Sequence, residues 1–331
     1  MKKPIKSTKS LKPCQTKTAK CKSVDPTKST KCSEHKAQAN TEAAATDNPN
    51  PYLEVVLGGG GIKGYSHFGV QKYLDENKIK VDAYLGISVG SIVATLLTNG
   101  YSWEAAKAVF DYELNKANKD ALINTMSTPC PVKFVFGRLF GSRSNKISMT
   151  FLAQHMVTKY KLKPQPNLRI LAYDRKSDSS IVFEGTDYNL VKALAGSCSI
   201  PGVVHPVVYQ GNELDAVLLD GQLTSYTCGV TGSGTVIHSR LGYATKVPKE
   251  IPSLGELLFH LAEVQFSSVL SWFLEKKVPG HFLIEAGMPS VSCLNFKAGK
   301  RIRDRMVDYG YQQATRTLRN AVENNTLPTY E

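Results

Sequence analysis

Four consecutive glycines, Gly58–Gly61, followed by Gly64, stand directly after the apolar run Leu53–Leu57, and about thirty residues on the pentapeptide Gly86-Ile87-Ser88-Val89-Gly90 stands after a second apolar run. Glycine is costly inside a strand or a helix but free to turn tightly, so each cluster marks the end of one element and the start of another. Leu53–Leu57 reads as a buried strand and Tyr65–Asn77 as the helix after its loop. Val81–Leu85 is the second strand and Val89–Asn99 its helix, with Gly100 as the stop. Two strand–turn–helix units within about fifty residues make a mostly parallel α/β sheet the expected architecture.

The pattern continues along the chain. Trp103–Asn118 has helical spacing behind the candidate cap Ser102. Strands are expected at Leu168–Tyr173 and Ile181–Glu184, and a short helix from Tyr188 to Gly196 capped by Asp187. Val207–Tyr209, the turn Gln210-Gly211-Asn212 and Leu214–Leu219 read as a hairpin that delivers Asp220 to the end of a strand. Thr235–His238 and Phe282–Glu285 are further strands, and Gly299–Asn320 a terminal amphipathic helix. The irregular stretch Thr125–Asn145, with Phe134, Phe136 and Phe140, reads as a loop packed on its own core in preference to a lid. Leu254–Leu274 has the length of a membrane span, but Glu256, His260, Glu263 and Gln265 interrupt it, so a buried helix is the better reading.

Charge separates the chain into two parts. The formal net charge is +13, and residues 1–50 hold eleven Lys against four acidic residues, a balance of +7. That stretch has one Leu and no aromatic residue, too little apolar surface to offset the entropy of ordering it, so a disordered Lys-rich tail is expected before a folded domain at 51–331. No apolar h-region follows Met1-Lys2-Lys3, so a secretory signal peptide is not expected, and the protein is expected to be cytoplasmic or peripheral to a membrane. The basic tail suits an anionic membrane surface, whereas the absence of interleaved aromatics disfavours specific nucleic-acid binding. Seven widely spaced cysteines without a C-x-x-C argue against a disulfide framework or a zinc site, and no metal or cofactor is expected.

The chemistry centres on Ser88. A serine between two glycines, after a strand and before a helix, is the pattern of a nucleophile elbow, where Gly86 and Gly90 prevent collisions as the turn lifts the hydroxyl from the sheet. The glycine run has three readings. A dinucleotide loop would require an acidic residue at the end of the second strand, yet Asp82 starts that strand and the elbow ends it. A P-loop would require Lys-Ser or Lys-Thr after its last glycine, and Tyr65-Ser66 stands there. An oxyanion loop, whose backbone N–H groups face Ser88, accounts for all the glycines, with Lys63 either adding positive charge or pointing to solvent. His238, His260 and His281 fit a triad by chain order alone, whereas Asp220-Gly221 presents a carboxylate at a strand end, which makes a Ser–Asp dyad the stronger reading.

Together these segments resemble the patatin-like phospholipase family. The resemblance is carried by Gly59-Gly60-Gly61-Ile62-Lys63-Gly64, Gly69-Val70, the serine pentapeptide, Ala195–Pro201 and Asp220-Gly221, over a core of about 53–222 ahead of a helical part at about 250–325. It implies a three-layer α/β/α fold, Ser88 as nucleophile, Asp220 as base, and an oxyanion hole from Gly59, Gly60 and Gly61. It also implies hydrolysis of acyl esters in phospholipid or lysophospholipid, with no metal. It is also compatible with delivery outside the cell without a conventional signal peptide, including as an injected effector. This chain departs from the family pattern at Gln222, where Gly or Ala is usual, and lacks an Asn-x-Pro near Leu223–Thr227. That departure motivates an alternative, a catalytically silent lipid-binding or interaction protein with the same fold.

Overall fold

In the computed structural model the alternating runs assemble into one mixed sheet with helices packed on it. The structure describes residues 52–119, 149–201, 204–210, 214–223, 234–242, 280–293 and 295–330. The basic stretch 1–50, the aromatic segment Phe134–Phe140, the turn at Gly211-Asn212 and the helix expected at Leu254–Leu274 lie outside the described residues.

Strand β1 (Leu53–Leu57) passes through a 3-10 turn, Gly61–Gly64, into α1 (Tyr65–Glu76), and β2 (Ala83–Ile87) passes into α2 (Val89–Thr98). Then follow α3 (Trp103–Lys119), α4 (Met149–Lys159), β3 (Leu168–Asp174), β4 (Ser179–Phe183) and α5 (Leu190–Ser197). The hairpin β5 (Val207–Gln210) and β6 (Asp215–Asp220) precedes β7 (Thr235–Arg240), β8 (His281–Glu285) and α6 (Lys300–Glu323). Several boundaries shift by one to three residues from the sequence reading, and some differences have a visible cause. Strand β2 starts later than Val81, because Asp82 instead ties the head of β1, its carboxylate accepting from the Leu53 N–H at 2.9 Å. Helix α5 is capped by Asn189, whose Oδ1 accepts from the Lys192 N–H at 3.0 Å, in place of Asp187; the same side-chain chemistry operates two residues along. Helix α4 was not expected.

Among the described residues the strand order is β5-β6-β3-β2-β1-β7-β8, with β4 also paired to β3. The run β3-β2-β1-β7-β8 is parallel, while β4, β5 and β6 add antiparallel pairs. Both faces of the sheet are buried, as a parallel centre requires: Leu53, Val55 and Leu57 share a core with apolar residues of α1, α2, α5 and α6, and Val56, Leu85, Ile87, Leu171 and Val236 form a second core.

The register of β3 carries the main consequence. Strand β4 pairs along Ile170–Asp174, β2 along Leu168–Leu171 and β6 along Ala172–Asp174. A strand has two edges, so β2 and β6 share the edge opposite β4 and meet head to head on it. Ile87 lies opposite Leu171, and Asp220 lies opposite Ala172, on adjacent rungs. The residue after Ile87 is Ser88.

Helices α1 and α6 approach closely where glycines face backbone. A Cβ on Gly69 would stand 1.9 Å from the Val307 carbonyl oxygen, and one on Gly310 would stand 2.0 Å from that of Ser66. Alanine gains up to about 1 kcal/mol of helix propensity, but the backbones must separate to admit the methyl, at about 1–3 kcal/mol or more. Gly69→Ala and Gly310→Ala are each expected to lower the unfolding free energy by about 1–2 kcal/mol net, read as a fall in the urea midpoint. An unchanged midpoint would show that the crossing tolerates the separation.

Candidate active site

Ser88 has the left-handed geometry of a sharp elbow, with φ 52° and ψ −127°, and sits at the N-terminus of α2. The backbone packs so closely there that both flanking positions must be glycine. A Cβ on Gly86 would lie 2.3 Å from the Ser91 Cα, and one on Gly90 would lie 2.0 Å from the Leu57 carbonyl oxygen. The Ser88 carbonyl accepts from both the Ser91 N–H and the Ser91 hydroxyl, which fixes the first turn of the helix. Its own N–H donates to Ser197 Oγ at 2.9 Å, and the Ser197 hydroxyl donates to the Leu171 carbonyl at 2.7 Å.

The side chain of Ser88 is directed at Asp220. Its hydroxyl donates to Asp220 Oδ2 at 2.7 Å, while Asp220 Oδ1 accepts the Gln222 N–H at 2.9 Å. The Asp220 N–H donates to the Ser199 carbonyl, so the segment Ala195–Pro201 secures both partners, one through Ser197 and the other through Ser199. Gly221 is required beside the carboxylate, since a Cβ there would stand 2.2 Å from the Leu171 carbonyl oxygen. Asp220 is 2% exposed and Ser88 3%. Burial pushes the Asp220 carboxyl up to about 7, against the hydrogen bonds from Gln222 and Ser88, which favour the ionised form.

The glycine loop lies against this pair. The Gly59 Cα faces Ser88, with room for a Cβ only 3.0 Å from the serine Cβ, and Gly64 packs on Val89. The Gly58 N–H donates to the Ser239 carbonyl at 3.0 Å, and its own carbonyl contacts His67 Nε2 at 2.8 Å. Burial lowers the His67 pKa to about 4, so the ring is neutral; the carbonyl can only accept, which places the proton on Nε2 and makes Nδ1 the acceptor of the Ser239 hydroxyl at 2.8 Å. The Ile62 N–H donates to the Cys293 carbonyl at 2.8 Å, bracing the far side of the loop. The N–H groups of Gly60 and Gly61 donate to no described residue, and that of Gly59 donates to Gln222 Oε1 at 3.0 Å.

The sequence-derived candidates Ser88, Asp220, Gly59, Gly86, Gly90 and Gly221 thus converge, with Gly60 and Gly61 continuing the same loop. Lys63 does not reach solvent: it is buried, and its Nζ donates to the Gly242 carbonyl at 2.6 Å, tying the loop to the end of β7. His238 and His281 contact each other at 3.3 Å and not Ser88, and His260 lies outside the described residues. His67, Ser197, Ser199 and Ser239 were not assigned from sequence. Ser197 and Ser199 lay in a stretch already singled out, but nothing in a lone His67 or Ser239 marked either as a brace.

A family model for patatin-like phospholipases matches residues 55–226, just over half the chain. The chain belongs to the patatin-like phospholipase family. Among its relatives, an uncharacterised protein YqhO of Bacillus subtilis is 23% identical over 191 residues, 53% of this chain and 64% of that protein. Lysophospholipase NTE1 of Eremothecium gossypii is 45% identical over 49 residues, 15% of this chain and 3% of that protein. Of solved structures, VipD from Legionella pneumophila aligns with TM-score 0.44 at 14% identity, over 81% of this chain and 66% of that one. The patatin-like match contains Ser88, Asp220 and Gln222, whereas Ser239, Gly242 and Cys293, which brace the glycine loop, come from beyond it.

The raised pKa of Asp220 has a stability consequence for this patatin-like domain. The folded state holds the proton more tightly than the unfolded chain, so this group's contribution is full below about pH 4 and is lost as pH rises through about 7. Asp220→Asn keeps an acceptor for the Gln222 N–H and removes the buried charge. It is expected to raise thermal stability at pH 8 by about 1–3 kcal/mol, and by less at pH 5. Equal effects at the two pH values in calorimetry would exclude a buried, raised carboxyl.

Proposed function

We propose that this protein is a serine lipid acyl hydrolase of the phospholipase A or lysophospholipase type. One observation carries the reading: the 2.7 Å hydrogen bond from the Ser88 hydroxyl, raised on its elbow, to a buried carboxylate beside the glycine loop. The Ser88 oxygen attacks the ester carbonyl carbon and its proton passes to Asp220 Oδ2. The new oxyanion is held by backbone N–H groups of Gly59, Gly60 and Gly61. Collapse expels the alcohol, which takes the proton from Asp220, and leaves the acyl group on Ser88. Water then repeats the sequence: its proton goes to Asp220, its oxygen joins the acyl carbon, and Ser88 recovers the proton as the fatty acid leaves.

A pKa near 7 suits a group that must both take and return a proton at neutral pH. Family membership and the fungal relative's name, lysophospholipase, support a lipid ester as substrate. Among the described residues no helix is long and apolar enough to cross a membrane, and the +7 of residues 1–50 supports peripheral contact with anionic lipid. The contact between Gln222 and the Gly59 N–H favours the second reading, a patatin-fold protein that binds lipid without cleaving it.

Fluorophosphonate labelling and fatty-acid release from mixed liposomes decide between them. The hydrolase reading expects both in the wild type, with Ser88→Ala and Asp220→Asn each reduced at least about 10³-fold. Wild-type signal equal to Ser88→Ala on every lipid would leave only the silent reading. Because Asp220 must be ionised to accept the proton, activity is expected to rise with pH up to about 7 and then level, and a flat profile from pH 5 to 8 would remove Asp220 as the base.

A further inference from the structure

We infer that Gln222 is a built-in occupant of the oxyanion site, which substrate must displace before Ser88 can act. The inference rests on the hydrolase reading above and adds a gate to it. Gln222 follows Asp220 by two residues, in the 3-10 turn Gly221–Leu223, and touches both halves of the site. Its backbone N–H donates to Asp220 Oδ1 at 2.9 Å, and its side-chain Oε1 accepts the Gly59 N–H at 3.0 Å. The oxygen is held close to the nucleophile: the position a Gly59 Cβ would take lies 2.7 Å from Oε1 and 3.0 Å from the Ser88 Cβ. Gln222 is itself buried, with 6% of its surface exposed.

The chemistry of the contact is that of a trapped substrate mimic. Like an ester carbonyl oxygen, a glutamine Oε1 is an sp² oxygen that seeks an N–H donor. The Gly59 N–H is directed at one acceptor at a time, and in a closed site an unpaired donor would cost free energy, so Oε1 occupies it when no substrate is present. An incoming acyl carbonyl must therefore take over this N–H as Oε1 swings away. Only the fraction of molecules with the glutamine displaced is competent, and apparent reactivity is the intrinsic reactivity multiplied by that fraction. No new bond type is required; one hydrogen bond is exchanged for another. The turn can release the side chain without disturbing Asp220, because the Gln222 N–H that holds the carboxylate belongs to the backbone.

The test uses the full chain with Gln222→Ala, which removes the side chain beyond Cβ, and Gln222→Met, which keeps its length but not the carbonyl. The probe is an alkyl fluorophosphonate: the Ser88 Oγ–P bond forms as P–F breaks, fluoride leaves, and the serine proton passes to Asp220. Both variants are expected to label about 3–10-fold faster than wild type, the range set by the net worth of one such hydrogen bond. Hydrogen exchange of the Gly59 amide is expected to quicken several-fold in both, which a merely structural role in the turn would not produce. Labelling of either variant at or below the wild-type rate, with wild type above Ser88→Ala, overturns the gate and leaves the hydrolase reading standing; a fall would instead mark Gln222 as aiding the oxyanion. If wild type and both variants label no faster than Ser88→Ala, the hydrolase reading fails and the gate with it. Gly59 exchange unchanged in both variants overturns the gate whatever the labelling shows.

Discussion

The meeting of two strand ends on one edge of β3 is the constraint on which the candidate site depends. Strand β2 runs up that edge in parallel and β6 runs down it, so Ile87 and Asp220 face the neighbouring rungs Leu171 and Ala172. Two strands that abut in this way cannot hydrogen-bond to each other across the gap, and their freed groups must find other partners. Ser197 answers this need by accepting the Ser88 N–H and donating to the Leu171 carbonyl, and the Ser199 carbonyl takes the Asp220 N–H. The break in the ladder is thus filled by one short segment at the end of α5, and the gap itself becomes the place where serine and carboxylate meet.

Such a junction holds only if backbone can approach backbone, which explains the clustering of glycines around it. Gly86 and Gly90 let the first turn of α2 rest on β1 and on its own preceding strand, and Gly221 lets the chain leave β6 across the Leu171 carbonyl. The cost appears in the electrostatics. Asp220 loses nearly all contact with water, and two hydrogen bonds do not restore what hydration supplied, so its affinity for a proton rises. Destabilisation concentrated at one charged group, in an otherwise well-satisfied junction, is the pattern expected where a site has to do chemistry. The glycine loop is held from outside the junction, by neutral His67 and Ser239 on one side and the Cys293 carbonyl on the other, so the aim of its N–H groups does not depend on a ligand.

Much of this was legible in the order of residues. Glycine clusters after apolar runs, the strand-end Asp220 and the alternation of strand and helix identified the architecture, because backbone freedom and side-chain periodicity are local properties. Local reasoning also had characteristic misses. Asp187 and Asn189 are equivalent caps from sequence, and the choice between them depends on where the turn joins α5. Helix α4 carries apolar residues of which only Ala153 and Met156 are buried, too weak a stripe to announce itself. Lys63 read as a positive charge at the site or in solvent, yet it is folded inward onto the Gly242 carbonyl, 179 residues away.

By itself the sequence determined the α/β class, the family, and the set of residues from which a site would be drawn, since each of those rests on short-range pattern. Tertiary structure decided which members of that set touch, and through what. The same oxygen chemistry is available to every Ser, Asp and Gln in the chain, and only the shared edge of β3 brings Ser88 to Asp220, while only the turn after β6 brings the Gln222 amide to Gly59. Hydrogen bonds act over about 3 Å, and no spacing along a chain specifies which residues 132 or 163 positions apart will come within that reach.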